Sequence, residues 1–215
     1  MPQMTQMTNR GCVIRLSRYK NALVRLKSLN FVRVFSDNLA DAAGVTAMQV
    51  RKDFSIFGIT GNRRGGYKVD ELIDRINSVL GKDRPHSLVL AGAGNLGKAL
   101  LGYPGVQANG IKIVAGFDID PTKLRVEADV PVLPLEGLGE YVRDHRIELG
   151  IIAVPDFAAQ QVMEMMISAG IKGILNFSPI CLKGPEGCVV NNVNLVTEIE
   201  NIIYYVHAAE KTGPH

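Results

Sequence analysis

Cysteines and long apolar segments are scarce in this sequence of 215 residues, and each absence removes a class of protein. The three cysteines, Cys12, Cys181 and Cys188, are too few and too scattered for a disulfide framework, and no C-x-x-C pair is present. Cys181 and Cys188 also lack the nearby histidines or cysteines of a zinc site. We therefore predict buried, reduced thiols and no bound metal.

No run of about 18 apolar residues occurs, which excludes a transmembrane helix. The segment 1–10 is polar and lacks the apolar stretch of a secretion signal, so we interpret it as an N-terminal arm. These two absences predict a cytoplasmic protein that has no contact with a membrane.

Acidic residues are scarce in the first part of the chain. Up to Arg84 there are 15 basic residues against 7 acidic ones, whereas from Pro85 onward there are 9 against 14. This asymmetry indicates that the first part meets a polyanion and that the second part does not. The charge alone is equally compatible with a basic face that only contacts solvent.

Helical spacing, glycines and capping residues divide the first part into elements. Thr46 stands three residues before Gln49, which is the spacing of a capping box, and Gly44 separates the helix that begins there from the one before it. Two helices joined by a short glycine-containing turn are typical of a helix-turn-helix, and the glycines after it indicate a β-hairpin wing. The predicted elements are helices at 15–29, 36–42, 46–57 and 69–80, an apolar run at 31–35, a wing at 58–67 and a linker at 81–85.

Polar and basic residues on the second helix of this motif and on the wing are the candidates for DNA binding. Gln49 and Arg51 can read base edges, while Lys52 and the wing arginines can neutralise phosphates. Basic helices are more often merely soluble surfaces, but a helix-turn-helix followed by a basic wing argues against that interpretation here. The candidate set is Thr46, Gln49, Arg51, Lys52, Asn62, Arg63, Arg64 and Tyr67.

The second part alternates between apolar and amphipathic segments. Such alternation predicts βαβ units with a parallel sheet covered on both faces. The predicted strands lie at 87–91, 111–117, 149–154 and 173–177, the helices between them at 96–106, 138–145 and 157–169, and a last amphipathic helix at 195–207. The fold class is therefore α/β: a winged helix-turn-helix domain at 1–84, a Rossmann-type parallel-sheet domain at 85–193, and a C-terminal helix with its tail at 194–215.

A glycine-rich turn follows the first strand of the second part. The stretch Gly92-Ala93-Gly94-Asn95-Leu96-Gly97 has the G-x-G-x-x-G spacing, opens a helix and is followed by Asp118 at the end of the next strand. Gly92 would form the tight turn, Gly94 would let a pyrophosphate approach the backbone, and Gly97 would let the helix pack on the strand. The helix N-terminus then stabilises the phosphates. A glycine-rich turn without a ligand is the alternative, and this context argues against it.

Asp118 indicates which dinucleotide binds. Its carboxylate would accept hydrogen bonds from a ribose 2′-hydroxyl and repel a 2′-phosphate, so NADH and NAD+ are favoured over their phosphorylated counterparts. Lys123 and Arg125 would weaken this preference near the ribose, but we expect both in the solvated loop after Pro121.

Catalytic partners for a bound nicotinamide are missing from the pattern. His145, His207 and His215 do not fall near the predicted strand ends, where hydride transfer would need an acid or a base. A dinucleotide site without catalytic residues predicts a sensor rather than an enzyme.

Together these residues resemble the family of redox-sensing transcriptional repressors called Rex. The resemblance runs from Arg15 to Val206 in the family's order and spacing. It rests on the stretches 45–46, 49–53, 57–58, 66–67, 94–100, 103–105, 117–118, 153–155 and 169–179. It assigns Val154, Pro155 and Tyr103 to the dinucleotide site beside the glycine-rich loop.

The resemblance implies a homodimer whose two winged helices bind a palindromic operator in double-stranded DNA. It implies that NADH competes with NAD+ for the Rossmann site and that NADH binding rotates the subunits until the operator is released. The C-terminal helix, here about 195–207, would cross into the partner subunit.

The resemblance also implies a switch. Tyr103 matches the family tyrosine that moves when reduced nicotinamide is bound. Arg15 matches an arginine that pairs with an acidic residue of the other subunit in the DNA-binding state, but the position of that acid holds Asn194. Because a neutral hydrogen bond is weaker than a charge-assisted one, this departure predicts a weaker latch between the subunits.

Two other classes of function stay open at this point. One is a small NAD-dependent oxidoreductase with a regulatory arm, which substrate-dependent NADH turnover would reveal and which the missing catalytic residues disfavour. The other is a DNA-binding protein that senses another nucleotide such as coenzyme A, which ligand competition would reveal and which Asp118 disfavours.

Overall fold

The computed structural model describes residues 10–62, 65–104 and 110–212 of the chain. It divides into two compact units, Met1–Arg84 and Pro85–His215. Most of the N-terminal arm, the tail at 213–215 and the wing arginines Arg63 and Arg64 lie outside the described residues.

The first unit combines helices that pack on one another with a small antiparallel ladder. Its elements are α1 (Arg10–Ser28), β1 (Arg33–Val34), α2 (Ser36–Ala43), α3 (Ala47–Ile56), β2 (Tyr67–Lys68) and α4 (Val69–Val79). The wing strand β2 pairs with β1, and a single bridge between Asn62 and Gly66 closes the hairpin. Helix α1 begins five residues before the predicted start at Arg15.

The core of the first unit follows from the helical spacing. Leu16, Tyr19 and Leu23 are buried on one face of α1, and the Tyr19 ring meets the edge of Phe54 from α3 with centroids 5.5 Å apart. Helix α2 ends at Gly44, whose φ of 67° lies in the left-handed region that glycine tolerates. The short turn that follows positions α3 as the second helix of a helix-turn-helix.

The second unit is built around a parallel sheet. Its elements are β3 (His86–Ala91), α5 (Asn95–Leu101), β4 (Ile111–Asp118), β5 (Val132–Pro134), α6 (Leu138–Asp144), β6 (Leu149–Ile152), α7 (Asp156–Ala169), β7 (Gly173–Asn176), β8 (Val189–Asn192) and α8 (Leu195–Thr212). The strand order is β5-β4-β3-β6-β7-β8, and every neighbouring pair is parallel. The edge strands β5 and β8 are additions to the four predicted strands.

The sheet order decides where a ligand can bind. Strands β4 and β6 lie on either side of β3. The sheet therefore extends from β3 through β4 and β5 on one side and through β6, β7 and β8 on the other. Ligands of such sheets bind beyond the carboxyl ends of the strands at this switch point. The glycine-rich loop, Asp118 and the segment after β6 all emerge there.

Apolar side chains of the last helix, α8, are exposed along its length. Leu195, Ile199, Ile202, Ile203 and Tyr204 each expose more than half of their surface. Within the described part of the chain, no helix is both long and apolar enough to cross a membrane. The exposed apolar residues of α8 therefore require another explanation.

Candidate dinucleotide and DNA-binding sites

The glycine-rich loop connects β3 to α5 in a conformation that two of its glycines make possible. Gly92 has a φ of +98°, and a Cβ atom on it would lie 2.3 Å from the carbonyl oxygen of Ala153. A Cβ on Gly97 would lie 1.9 Å from the carbonyl oxygen of Gly92. Both contacts are impossible for a side chain, so these positions hold the loop tightly on the sheet and on α5.

Gly94 is different, because a Cβ built on it meets nothing within 4 Å. No packing of the described chain requires glycine at this position. The open space stands at the first turn of α5, whose backbone N–H groups point toward an approaching anion. This space is open to a ligand, and a side chain at position 94 would occupy it.

Asp118, at the end of β4, is buried beside the loop. Its carboxylate accepts the backbone N–H of Ala93 at 2.7 Å and that of Asp120 at 2.9 Å. Burial raises the pKa of Asp118, but these backbone hydrogen bonds and Lys123 outweigh it, so that the pKa is lowered overall. The group is therefore an anion at the carboxyl end of β4.

Lys123 follows Pro121 as expected, but the expectation that it points into solvent there is wrong. Its Nζ lies 3.3 Å from both carboxylate oxygens of Asp118 and 3.6 Å from Oδ2 of Asp120. The side chain of Asp120 accepts the N–H of Thr122, and this tight 3-10 turn directs Lys123 back toward β4. Arg125, by contrast, is exposed as expected.

A crevice of about 430 Å³ at this edge of the sheet brings most of the predicted site together. The predicted residues that line it are Gly92, Gly94, Asn95, Leu96, Asp118, Val154 and Pro155. Gly97 packs beneath the loop, Ala93 lines a neighbouring cavity, and Tyr103 is exposed and outside the lining. The lining residues that the sequence pattern missed are Phe117, Ile119, Lys123, Leu135, Ala153, Phe157, Ala158 and Val162.

Among the missed residues, Phe157 had a visible signal. It follows the matched Ala153-Val154-Pro155 segment at the start of α7, and it exposes 82% of its surface at the crevice. An apolar ring in this position offers a flat surface to a bound base or nicotinamide.

Helix α3 presents its basic residues to solvent. Arg51 and Lys52 are exposed, while Thr46 caps the helix by accepting the N–H of Gln49 at 3.1 Å. The side chain of Gln49 donates to Asp53 at 2.7 Å, four residues further along the helix. The predicted capping box is therefore formed only in part: Thr46 accepts the backbone N–H of Gln49, whereas the side chain of Gln49 bonds to Asp53.

The wing residues have mixed roles. The Asn62 side chain accepts the N–H of Gly65 at 3.2 Å and shapes the turn. Tyr67 packs its ring against Phe54 with centroids 5.2 Å apart and lies below Gly61, so its ring belongs largely to the domain core. Its place among the DNA-contact candidates rests on the sequence pattern alone.

A buried ion pair ties α3 to α1. Asp53 is 0% exposed and accepts Nε of Arg15 at 2.6 Å and Nη2 of Arg15 at 2.7 Å. It also accepts the hydroxyl of Tyr19 at 2.8 Å and the thiol of Cys12 at 3.3 Å. Burial raises the pKa of Asp53, but the hydrogen bonds from Arg15 and Tyr19 place it well below its usual range.

The sequence pattern did not find this pair, and it gives Arg15 a partner inside its own domain. Asn194, the other half of the expected latch, caps α8 by accepting the N–H groups of Val196 at 2.9 Å and Thr197 at 3.3 Å. Both residues are thus engaged within the chain, and their pairing between subunits stays a prediction.

The cysteines only partly match the expectation of buried thiols. All three are free; Cys12 is buried, Cys188 half-buried and Cys181 exposed. Among the described residues, no group of three or more histidine, cysteine, aspartate or glutamate side chains could hold a metal ion.

Relatives of known function match both units. Residues 11–55 match the family of the putative DNA-binding protein N-terminus, and residues 83–180 match the CoA binding domain family. The redox-sensing transcriptional repressor Rex of Desulforamulus reducens is 42% identical over 200 residues, covering 93% of this chain and 95% of that protein. The Rex repressor of Carboxydothermus hydrogenoformans is 41% identical over 195 residues, covering 90% and 94%. This chain belongs to the Rex family.

Solved structures agree with this assignment. The Rex-family repressor RSP, crystallised with β-NAD+ and operator DNA, superposes with a TM-score of 0.90 at 32% identity, covering 96% of this chain and 95% of that one. Its complex with β-NADH gives a TM-score of 0.84 and covers 96% and 97%. The predicted family and fold class are confirmed. Because the Rex relatives are transcriptional repressors, the prediction that the chain is not an enzyme is confirmed as well.

Proposed function

We propose that the chain is a homodimeric transcriptional repressor that binds a palindromic operator and releases it when NADH replaces NAD+ in the Rossmann crevice. The observation that carries this proposal is the open space at Gly94 beside the buried carboxylate of Asp118. The space at Gly94 would hold the phosphates, and the carboxylate of Asp118 would accept the ribose hydroxyls. Both lie at the switch point of the sheet. The Rex relative RSP has been crystallised with both nucleotides and with operator DNA.

The exposed face of α3 is the DNA-reading surface in this proposal. Arg51 can donate to guanine in the major groove, and Lys52 neutralises backbone phosphate. In this proposal Asn62, Arg63 and Arg64, which follow α3 in the sequence, add phosphate contacts. Thr46 supports the surface by holding the first turn of α3 in shape.

The exposed apolar residues of α8 support the homodimer. Ile199, Ile202, Ile203, Tyr204 and Tyr205 would leave a large apolar surface in water if the chain were a monomer. A second copy of the same helix, crossing between subunits as in the family, covers this surface. A twofold dimer in turn requires two operator half-sites in palindromic arrangement.

Switching requires that NADH bind one dimer state more tightly than the other. The free energy of switching can be no larger than this difference in binding free energy. Tyr103 is the residue we assign to sensing the reduced nicotinamide, and it is 57% exposed. The place of action is the cytoplasm, where the operator and the nucleotides are.

Anisotropy of a labelled operator tests the proposal. The operator is first selected from a random duplex library with the pure protein, and it is then titrated with NADH and NAD+ at fixed salt, because phosphate contacts depend on salt. NADH should release the DNA at concentrations at which NAD+ does not. A protein that selects no sequence, or an operator complex that ignores both nucleotides, would contradict the proposed function.

Two matched variants separate the sites. Arg51→Ala should weaken operator binding by about tenfold or more and leave NADH affinity unchanged, since a base contact contributes about 1–3 kcal/mol. Gly94→Val should abolish the response to NADH while operator binding persists, because the new side chain fills the phosphate cradle. Retained NADH sensitivity in Gly94→Val would disprove this phosphate site.

A further inference from the structure

The outward-facing residue in the first turn of α3 is apolar. This turn consists of Ala47, Met48 and Gln49, which follow the capping residue Thr46. Ala47 is half-buried against the core of the first unit, and the side chain of Gln49 donates to the buried carboxylate of Asp53. Met48 exposes 71% of its surface and does not belong to the described core. It is therefore the side chain of this turn that is available to a partner.

Met48 shares its face of α3 with residues assigned to DNA binding. Positions three, four and seven residues apart lie on one side of a helix, so that Met48 lines up with Arg51, Lys52 and Ser55. All four residues are exposed. An apolar side chain thus stands among polar and basic ones, at the end of the recognition helix whose residues reach base edges in a helix-turn-helix.

The major groove offers one apolar group to such a side chain. Guanine, cytosine and adenine present hydrogen-bond donors and acceptors there, whereas thymine also presents its C5-methyl group. The unbranched and flexible methionine side chain can adapt to the position of that methyl group. Contact between the two removes apolar surface from water, which favours the bound state.

We propose that Met48 is a specificity-determining residue that selects a thymine in each operator half-site by contact with the C5-methyl group of that base. This inference rests on the proposed function, since it takes α3 as the DNA-reading helix. It assigns the recognition of one base to an apolar contact, beside the hydrogen bonds that Arg51 can donate to guanine. Gln49, in turn, supports the helix through its hydrogen bond to Asp53.

Replacement of thymine by deoxyuridine tests the inference, because the two bases differ only in the methyl group. In an operator selected with the pure protein, each thymine is replaced in both half-sites together, and the dissociation constant of the full-length protein is measured by anisotropy at fixed salt. Binding should be sensitive at one thymine position. The loss of one buried methyl group should weaken binding about fourfold in each half-site, and thus about tenfold to twentyfold in the dimer.

Variants of Met48 show whether this sensitivity belongs to that residue. Met48→Ala should bind the thymine and deoxyuridine operators with dissociation constants within about twofold of each other at the sensitive position, because the apolar contact is lost in both. Met48→Leu should keep most of the difference, since its side chain is apolar and of similar volume. The NADH affinity of both variants should match that of the wild-type protein.

Ile56→Ala is the matched control. It removes a side chain that is 55% exposed from the last residue of the same helix, about 12 Å along the axis from Met48, and should keep the wild-type sensitivity. A wild-type protein that binds its operator and ignores every thymine methyl group, or a Met48→Ala variant that keeps the sensitivity, would overturn the inference. A protein that selects no operator would instead contradict the proposed function, so the two failures are distinguishable.

Discussion

The ion pair between Arg15 and Asp53 offers a sharp test of how the recognition helix is held. Replacing Arg15 by glutamine removes two short hydrogen bonds, of 2.6 and 2.7 Å, from a carboxylate that is 0% exposed. Breaking a buried pair from one side costs about 3–5 kcal/mol in general, because a charge stays buried without its partner. The donors from Tyr19, Gln49 and Cys12 remain, and the Arg15 side chain is 26% exposed, so that water can enter.

Because these donors remain, we expect the free energy of unfolding to fall by about 2–3 kcal/mol, at or just below the lower end of the general range. For a domain of this size, each kcal/mol lowers the melting temperature by about 4–8 °C. The first unit should therefore melt about 8–24 °C lower in Arg15→Gln. Operator binding should weaken with it, because α3 loses its fixed position on α1.

Hydrogen exchange read by mass spectrometry, alongside thermal melting, localises the effect. Peptides from α1 and α3 should exchange faster, while peptides from the Rossmann unit and the NADH affinity should not change. Arg18→Gln on the same helix is the control, since Arg18 is exposed and carries the same charge. If Arg15→Gln melted within about 1 °C of Arg18→Gln, well below the shift expected for a buried pair, the ion pair would contribute nothing and the reasoning would be refuted.

Four further outcomes follow from single contacts. Gly97→Ala should destabilise the Rossmann unit by about 2–3 kcal/mol and weaken NADH binding, because its Cβ would lie 1.9 Å from the carbonyl oxygen of Gly92; an unshifted melting curve would contradict this. The lowered pKa of Asp53 stabilises the fold above about pH 4, and this contribution is lost as the pH falls further, so Asp53→Asn should flatten the acid limb of a stability–pH curve. Asn176→Ala should cost about 3 kcal/mol in urea unfolding, since this buried amide bonds Ile180, Ser178 and Asn192, and a loss below about 1 kcal/mol would count against that network. Asn194→Ala should remove about 1 kcal/mol of capping from α8 and raise the dimer dissociation constant in sedimentation, whereas an unchanged constant would separate the cap from dimerisation.

Short-range patterns in the sequence were sufficient for the dinucleotide loop. The three glycines and Asp118 lie within one βαβ unit, and backbone geometry requires glycine at positions 92 and 97. The long helices were also predictable, because apolar residues recur in them at helical spacing. Both kinds of signal depend on neighbours a few residues away.

Strand β8 is an element that such patterns do not predict. Its sequence Val189–Asn192 is half polar and carries no apolar run, yet it pairs with β7 over its whole length. Asn192 is held there by bonds to Leu182 and Asn176, which only the folded chain brings near. An edge strand of this kind is defined by the strand beside it rather than by its own composition.

The charged contacts also differ between what the sequence pattern predicts and what the folded chain forms. Asp53 stands in a basic helix whose pattern suggests a solvated face, but partners 34 to 41 residues away in sequence bury it and make it a structural anchor. Lys123 is five residues from Asp118, and its ion pair depends on the tight turn at Pro121–Lys123. The sequence alone determined the family, the two-unit fold class and the position of the glycine-rich loop between β3 and α5. Only the tertiary structure decided which charges compensate one another, because compensation depends on distances that the chain acquires when it folds.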